Sequence, residues 1–253
     1  MLIVLTRTEK NNLQIFVIQT SNNSSENQLL AALPLEEYKR LLPYLESVYL
    51  SHKQIVYEPN EPIKYVYFPL DAVMSLINLM EDGIGVEVAT VGKEGMVAIS
   101  IFLAGDRSIN QAVTQIPGNA LRMRADVFNH HVTPGSPLYK LLQRYTLAFL
   151  SQVFQSVTCN GLHSVEKRCC RWLLMTQDRV KGNQFPLTQE FLAYMLGVRR
   201  ASVSEVCSLL QKAGLISYGR GSITILNRQA LENTSCSCYA IVKAEFNRLL
   251  GSN

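Results

Sequence analysis

The chain has 253 residues, of which 47% are hydrophobic and 17% are charged, and its formal net charge at pH 7 is +4. This composition excludes global disorder and predicts one large or two ordinary domains with sizeable hydrophobic cores. No run of 18 apolar residues predicts a membrane span, and the start lacks the pattern of a secretory signal. We therefore expect a cytoplasmic protein with reduced cysteines.

The charge is unevenly distributed along the chain. Residues 164–253 hold 12 Lys or Arg and 6 Asp or Glu, a net charge of +6, whereas residues 1–163 carry a net charge of −2. A basic excess confined to one part of a protein indicates a polyanionic partner, because phosphates attract Lys and Arg over long distances. A nucleic-acid interface is therefore expected in the C-terminal part.

The first half of the chain predicts a tail, short helices and then a β-rich unit. Residues 1–27 form a tail or extension with one strand-like fragment at 13–18, and spaced leucines with Pro34 predict short helical pieces after it. Seven segments rich in β-branched and aromatic residues follow, separated by Pro, Gly, Asn and Asp turns. They are 48–50, 54–57, 65–68, 73–79, 85–91, 112–115 and 121–123. Seven or eight short strands at this spacing predict an antiparallel, barrel-like jelly roll.

A long helix beginning at Pro137 carries two apolar stripes. The first consists of Leu138, Leu142, Tyr145, Phe149 and Val153. The second, about 120° round the helix at 100° per residue, consists of Leu147, Leu150, Phe154 and Val157. One stripe is enough to pack on a single domain, so the second predicts a homodimer interface; the alternative is a fully buried helix in a monomer. Asn160-Gly161 is expected to break the helix and act as a hinge.

The stretch from Leu187 to Leu226 predicts two short helices joined by a tight turn. Thr188 can cap the first helix, and Gly197 can end it in a left-handed conformation. The second helix begins near Arg199 and has two contrasting faces. Its apolar side contains Val203, Val206 and Leu210, and its polar side contains Arg200, Ala201, Ser204, Glu205 and Ser208. Two such helices are typical of the helix-turn-helix, whose second helix enters the DNA major groove.

A β-hairpin is predicted directly after these helices. Residues 216–218 and 222–225 alternate as strands, and Gly219-Arg220-Gly221 connects them. The glycines would let Arg220 press its charge against a phosphate, as the wing of a winged helix does. The alternative is a helical hairpin that only packs against its neighbours. The basic charge of this region favours DNA binding.

These motifs resemble the winged-helix domain of the Crp/Fnr (catabolite-activator) family of bacterial transcription regulators. The resemblance rests on LHSVEKRCCRWLL, LTQEFLAYMLGVRRASVSEV, LQKAGLI and YGRGSITI, and on a Cys-x-Cys-Tyr element at 236–239 that ends one branch of the family. It extends over roughly residues 28–250, strongly in the last third and in outline before that. It implies an α+β chain with an N-terminal antiparallel β-roll of the cyclic-nucleotide-binding type, a long dimerisation helix and a C-terminal winged helix-turn-helix.

The resemblance also implies domain boundaries, contact residues and partners. The β-roll sensor would span residues 28–136, the dimerisation helix and hinge 137–160, and the DNA-binding domain 161–253. The residues expected at DNA are Thr188, Gln189, Arg199, Arg200, Ser202, Ser204, Glu205 and Arg220. The implied partners are double-stranded DNA, a second copy of the chain, RNA polymerase and an unknown small-molecule effector, with no membrane partner.

The predicted effector pocket departs from the pattern that binds cyclic nucleotides. Such relatives carry Gly-Glu-Leu and, further on, an Arg followed by a small hydroxyl residue. Here Met96 replaces the Glu, and Asn110 and Gln111 replace the Arg and the hydroxyl residue. Because each change removes a charge or donor that the ligand needs, binding of cyclic AMP is not expected. The candidate pocket residues are Gly92, Glu94, Gly95, Met96, Arg107, Asn110 and Gln111.

Catalytic and metal-binding patterns are weak in this sequence. The four histidines form no His-x-His pair, His130-His131 is typical of a solvated helix end, and no nucleophile elbow occurs. Cys236 and Cys238 lack an obvious second pair, so we interpret them as small buried residues rather than a metal or redox site. No cysteine precedes Cys159, which argues against the N-terminal iron–sulfur cluster of some relatives. We predict no metal, no cofactor and no enzyme. Two alternatives are a metabolite- or nucleotide-binding sensor module with little DNA binding and a metal-dependent jelly-roll enzyme.

Overall fold

Seven of the nine strands described in the N-terminal part form two antiparallel sheets that build a roll, and the other two form a separate hairpin. The computed structural model describes residues 2–6, 14–18, 25–81 and 83–251. The strands are β1 Leu2–Thr6, β2 Gln14–Ile18, β3 Glu46–Leu50, β4 Ile55–Tyr57, β5 Tyr65–Pro69, β6 Val73–Leu79, β7 Gly85–Val91, β8 Gln111–Ile116 and β9 Gly118–Arg124. They pair as β1-β2, β3-β9-β5 and β4-β8-β6-β7. The predicted β-roll is confirmed, and β1 is an additional strand that the sequence reasoning missed.

The core of the roll is filled by the alternating side chains of its strands. Phe68, Met74 and Met123 are at most 1% exposed, and α1 Gln28–Ala31 and α2 Leu35–Leu41 add leucines to the same cluster. A further helix, α3 Ala125–His131, follows β9 and places Phe128 in this core. Burial of one face of each strand stabilises the roll, since every apolar side chain removed from water contributes about 1.5–3 kcal/mol.

The long helix α4, Pro137–Leu162, connects the roll to the C-terminal part. The Ser136 hydroxyl caps it by accepting from the Tyr139 amide, and Pro137 fits the first turn, where no amide donor is needed. Asn160 and Gly161 remain helical, so the predicted break there is wrong. The change of direction falls at His163 and Ser164 instead. No helix in the described part of the chain is long and apolar enough to cross a membrane.

The C-terminal winged-helix unit consists of five helices and three strands. The helices are α5 Val165–Gln177, α6 Gln189–Leu196, α7 Arg200–Lys212, α8 Arg228–Thr234 and α9 Cys238–Leu250. The strands are β10 Gln184–Pro186, β11 Ile216–Gly219 and β12 Ser222–Ile225, paired in the order β10-β12-β11. The predicted helix-turn-helix and wing are confirmed as elements, and β10 widens the wing sheet.

The roll and the winged-helix unit share a hydrophobic core. Val73, Ile77 and Ile116, on the outer face of the roll, belong to the same buried cluster as the side chains of α5 and α6. Polar contacts reinforce this junction, including a hydrogen bond of 2.7 Å from Gln115 Nε2 to Thr176 Oγ1, both of them buried. The winged-helix unit is therefore packed directly against the roll.

Candidate nucleic-acid interface and sensor surface

The turn between α6 and α7 has the local chemistry of a helix-turn-helix. Thr188 Oγ1 accepts a hydrogen bond of 3.1 Å from the Phe191 amide, which caps α6. Gly197 ends α6 with φ of 61°, a conformation that a residue with a Cβ would adopt only at a cost. Val203 and Leu210 anchor α7 in the core, with 0% and 2% exposure. The packing of this inner face fixes which side of α7 points outward.

The outer face of α7 consists of the residues predicted to meet DNA. Arg199, Arg200, Ser204 and Glu205 are exposed, and Ser202 is half-buried. None of these five side chains has a hydrogen-bond or ion-pair partner in the described part of the chain. A surface with unpaired cations and hydroxyls is well suited to phosphates and base edges. Arg200, Ser204 and Glu205 therefore lie on the exposed side of α7, whereas Ser202 lies at the edge of its buried face.

The wing is a two-residue hairpin loop with a strained arginine at its tip. Gly219 pairs with Ser222, so Arg220 and Gly221 form the loop, with φ of 53° and 73°. Positive φ at both positions is typical of a type I′ turn, which usually has Asn or Gly where this chain has Arg220. A left-handed arginine costs roughly 1–2 kcal/mol. That cost, at an exposed tip, suggests a functional reason for the residue.

Hydrogen bonds join the wing to both helices. The Gln189 amide donates to the Tyr218 hydroxyl over 3.2 Å, and the Tyr218 amide donates to Gln211 Oε1 over 2.9 Å. Tyr218 therefore connects β11 to the start of α6 and to the end of α7. Thr188, which is exposed, and Gln189, which is half-buried, lie at the α6 N-terminus close to the wing. The helices and the wing form one surface of fixed geometry.

The first group of predicted pocket residues is engaged inside the molecule. Glu94 accepts from the Gly92 amide over 3.0 Å and from Arg179 Nε of the winged-helix unit over 2.8 Å. The side chains of this Arg179–Glu94 pair are 8% and 16% exposed. Residues 92–94 therefore contribute to the junction between the two units.

Gly95 and Met96 contact the long helix. The Met96 side chain is 1% exposed, and its carbonyl accepts a hydrogen bond of 2.9 Å from the Tyr145 hydroxyl. Burial raises the pKa of Tyr145, so this hydroxyl stays a donor. A Cβ at Gly95 would lie 2.4 Å from the Tyr145 ring, which explains why only glycine fits. Neither residue is free to receive a ligand in this arrangement.

The second group of predicted pocket residues lies on the outer rim of the roll. Arg107 is exposed and donates to the Asn60 carbonyl over 2.8 Å, and Asn110 donates to Asn78. Gln111 Nε2 donates to Glu58 over 3.0 Å. No hydrogen bond in the described residues joins this group to residues 92–96. The structure therefore places the seven candidates in two separate environments.

A carboxylate at the junction was not singled out from the sequence. Glu87 on β7 accepts hydrogen bonds from the hydroxyls of Ser75 and Thr90, the latter over 2.9 Å. Burial raises its pKa from 4.5 to about 6, and the two hydroxyls and the charges of Arg171 and Arg179 oppose the shift only in part. Glu87 thus has a raised pKa of about 6 where the roll meets α5.

The second stripe of α4 is open to solvent. Leu147, Leu150, Phe154 and Val157, which we call the apolar strip, are 51%, 39%, 66% and 68% exposed. The first stripe packs on the roll: Leu138, Leu142 and Tyr145 are buried, and Phe149 and Val153 are partly buried. One side of α4 is thus covered within the chain and the other is not, as the two stripes predicted.

The sequence reasoning also missed the neighbours of Cys236 and Cys238. Cys159 and His163, at the end of α4, lie beside these cysteines in the structure. The reason given above against a metal site, the lack of a second pair, is therefore wrong. The spacing of Cys159 and His163, four residues apart at the end of a predicted helix, is the signal that could have indicated this pair.

Comparison with known proteins supports the architecture. Residues 167–234 match the model of the Crp-like helix-turn-helix domain. FixK2 from Bradyrhizobium japonicum is 18% identical, with a TM-score of 0.63 covering 76% of this chain and 98% of that one. A CRP/FNR-family transcriptional regulator from Thermus thermophilus is 18% identical, with a TM-score of 0.60 covering 75% and 98%. The c-di-GMP responsive global regulator CLP from Xanthomonas campestris is 16% identical, with a TM-score of 0.61 covering 76% and 99%. A comparison with curated proteins finds no match.

These similarities define a class of protein with a β-roll, a long helix and a winged helix-turn-helix. The fold is that of the solved Crp/Fnr regulators, and the matched segment is a Crp-like helix-turn-helix domain. Residues 167–234 are thus similar to the Crp-like helix-turn-helix domain, and the chain carries the Cys-x-Cys-Tyr element near its C-terminal end.

Proposed function

We propose that this protein is a cytoplasmic, sequence-specific DNA-binding transcription regulator that works as a homodimer and responds to an effector through its β-roll. The observation that carries the proposal is the outer face of α7, where Arg199, Arg200 and Glu205 are exposed without partners. An arginine with no internal partner can form strong, charge-assisted hydrogen bonds with a phosphate or with the edge of a guanine base. The net charge of +6 in residues 164–253 would draw this face towards DNA.

In the proposed complex, α7 lies in the major groove and reads base edges. Arg200, near the N-terminal end of α7, would donate to guanine O6 and N7, and Glu205 would accept from cytosine N4. Ser202 and Ser204 would contribute further hydrogen bonds. Relatives often carry Arg where Glu205 stands and Glu where Ala201 stands, so the preferred site should differ from theirs.

Phosphate contacts would position the helix. Arg199 and Arg220 are exposed cations on either side of α7, and Arg220 reaches out from the tip of the wing. Thr188 and Gln189 lie at the N-terminus of α6, where backbone amides and the helix dipole favour an anion. These contacts would give affinity without sequence information.

The apolar strip on α4 supports the dimer. Four large apolar side chains exposed along one helix face are costly in a monomer, and a second copy related by a two-fold axis would cover them. Two α7 helices related in this way call for a palindromic site with half-sites about one helical turn apart. RNA polymerase is a further partner for a regulator placed at a promoter.

The junction between the roll and the winged-helix unit supports effector control. A ligand that binds one arrangement of this junction better than another would change the spacing of the two α7 helices. A cleft of about 270 Å³ lies at the junction, with Lys93, Glu94, Arg179 and Lys243 among its lining residues. Cyclic AMP is not the expected effector, because Met96 is buried and Asn110 and Gln111 are uncharged. Titration calorimetry with cyclic AMP should give no binding in the micromolar range.

The main experiment is a selection of bound fragments from random DNA duplexes, followed by affinity measurements over a range of salt concentrations. We expect a palindromic motif and a steep loss of affinity as salt rises. The alternative, a metabolite sensor with little DNA binding, predicts no enriched motif and weak binding at every salt concentration. Enrichment of a single unrepeated half-site would contradict the dimer but not the DNA binding.

A further inference from the structure

Four side chains with metal-binding chemistry converge where α4 ends. Cys159 lies in the last turn of α4 and His163 is the residue that ends this helix, whereas Cys236 lies just before α9 and Cys238 is its first residue. The distance from Cys159 Sγ to Cys236 Sγ is 3.5 Å, and that from Cys238 Sγ to His163 Nδ1 is 3.4 Å. All four ligand atoms lie within 4.8 Å of one another. We call these four residues the Cys3His cluster.

These distances are close to those of a tetrahedral zinc site. With Zn–S bonds of about 2.3 Å and Zn–N bonds of about 2.0–2.1 Å, the edges of a tetrahedron are about 3.8 Å between two sulfurs and about 3.6 Å between sulfur and nitrogen. The two distances given above are therefore slightly under these lengths, and shifts of about 1 Å or less would bring the widest pair into range. Three cysteines and one histidine are a common ligand set of structural zinc.

Two other interpretations of the cluster fit less well. A disulfide requires a sulfur–sulfur distance of about 2.05 Å, and all six cysteines are free thiols. An iron–sulfur cluster places several metal ions between its ligands, and atoms within 4.8 Å of one another leave room for one ion only. Cysteines that served only as small core residues would be expected to belong to one of the two large hydrophobic clusters. Cys159, Cys236 and Cys238 instead form a separate buried group.

The surroundings of the cluster suit an anionic metal centre. Zn²⁺ with three thiolates and one imidazole carries a net charge of −1, which a neighbouring cation would balance. The buried Arg171 acts electrostatically on Cys159, and its Nε has no hydrogen-bond partner in the described part of the chain. Gln155 Nε2, one turn before Cys159, donates to Cys238 Sγ over 3.1 Å. Such second contacts orient the ligands of a metal.

We propose that the Cys3His cluster binds one Zn²⁺ in a closed, structural site. The ion would join the last turn of α4 to the first turn of α9, and Tyr239 already fastens α9 to the end of α5 through a hydrogen bond of 2.8 Å to Asp178. Zinc thus holds the C-terminal helix against the point where the chain turns from α4 into the winged-helix unit. This inference goes beyond the proposed function, because zinc binding does not require DNA binding.

The test is elemental analysis of the full chain, purified under reducing conditions and dialysed against zinc. We expect about one zinc per chain. Cys236→Ser and His163→Ala should lose the stoichiometric zinc, whereas Cys207→Ala, which removes a buried thiol on α7 outside the cluster, should keep it. Gln155→Ala should retain the ion but bind it roughly ten- to a hundredfold more weakly.

A second measurement avoids any dependence on variants that fold poorly. Cobalt added to the metal-free wild type should give the intense visible bands of a tetrahedral site and the ultraviolet charge-transfer bands of thiolate ligands. A pale octahedral cobalt spectrum, a wild type that stays free of zinc after reconstitution, or a Cys159–Cys236 disulfide found by mass spectrometry in the reduced preparation would each overturn the proposal. DNA affinity is measured separately, so loss of DNA binding alone leaves the zinc result intact.

Discussion

The winged-helix unit and the β-roll differ in what their predicted ligand residues contact. On α7 and the wing, Arg199, Arg200 and Arg220 are exposed and have no partner in the described residues. In the roll, Glu94 pairs with Arg179, and Met96 is buried against Tyr145. Side chains that lack internal partners are available to an external one, whereas those of the roll already stabilise the fold. The proposed DNA surface is thus accessible without rearrangement, whereas the proposed effector would have to compete with internal contacts.

A charge placed in the apolar strip of α4 should have the largest effect on DNA binding, because it should separate the proposed dimer. Phe154→Glu would place one carboxylate on each side of the proposed two-fold interface, where no cation of the strip could pair with it. We expect monomers in sedimentation at micromolar concentration and loss of tight binding to a palindromic duplex. Met80→Glu, which alters an equally exposed apolar residue on the roll, should leave the dimer intact. A monomeric wild type would contradict the prediction.

The roll side of the comparison can be tested with two arginines in different environments: Arg179, which pairs with the predicted pocket residue Glu94, and Arg107, which is itself a predicted pocket residue. Arg179→Ala leaves Glu94 as a largely buried, unpaired carboxylate, which should lower the free energy of unfolding by about 3–5 kcal/mol. Arg107→Ala removes an exposed hydrogen bond and should change it by about 0.5 kcal/mol or less. Urea denaturation measures both. Equal effects of the two changes would show that the Arg179–Glu94 pair is not the internal contact described here.

Base readout by α7 is the next smaller effect. Arg200→Ala should cost roughly 1–3 kcal/mol of discrimination at one position of the site, because a bidentate contact to guanine is lost. Lys212→Ala, at the far end of the same helix, serves as the matched control and should leave the motif unchanged. Binding of the variants to a panel of single-base changes gives the answer. A uniform loss on all sequences would make Arg200 a phosphate contact instead.

Much of the fold could be predicted from the sequence, because most of its helices and strands are determined by local sequence patterns. Strands β6 and β7 were predicted to the residue, since alternating apolar positions and flanking turns define them. The α4 break failed because Gly161, although a weak helix former, is exposed and meets no neighbour that would force a bend. A glycine in such a place costs only about 1 kcal/mol.

The site was harder to predict where it depends on distant parts of the chain. The α7 face follows from one helical period, and all of its predicted residues are accessible. The Cys3His cluster joins residues 77 positions apart, so no local pattern pairs Cys159 with Cys236. The engagement of Glu94 by Arg179, 85 positions away, is likewise a product of tertiary packing. Contacts of this kind are visible only once the two units are placed together.

The smallest expected effect concerns the titration of Glu87 at the junction. Its pKa is raised from 4.5 to about 6, so between these values the folded chain binds more protons than the unfolded chain. The free energy of unfolding should therefore fall as pH rises from about 4 to about 7, by up to about 2 kcal/mol from this group, and Glu87 should contribute little further change above about pH 7. Glu87→Gln removes the titrating group while keeping an acceptor for Ser75 and Thr90, so this part of the slope should disappear. Urea denaturation between pH 4.5 and 7 measures it, with Glu81→Gln, an exposed carboxylate of the β6–β7 turn, as the control. If the Gln variant kept the wild-type slope, the proton would belong to another group, and the junction would lack the pH dependence that a buried carboxylate predicts.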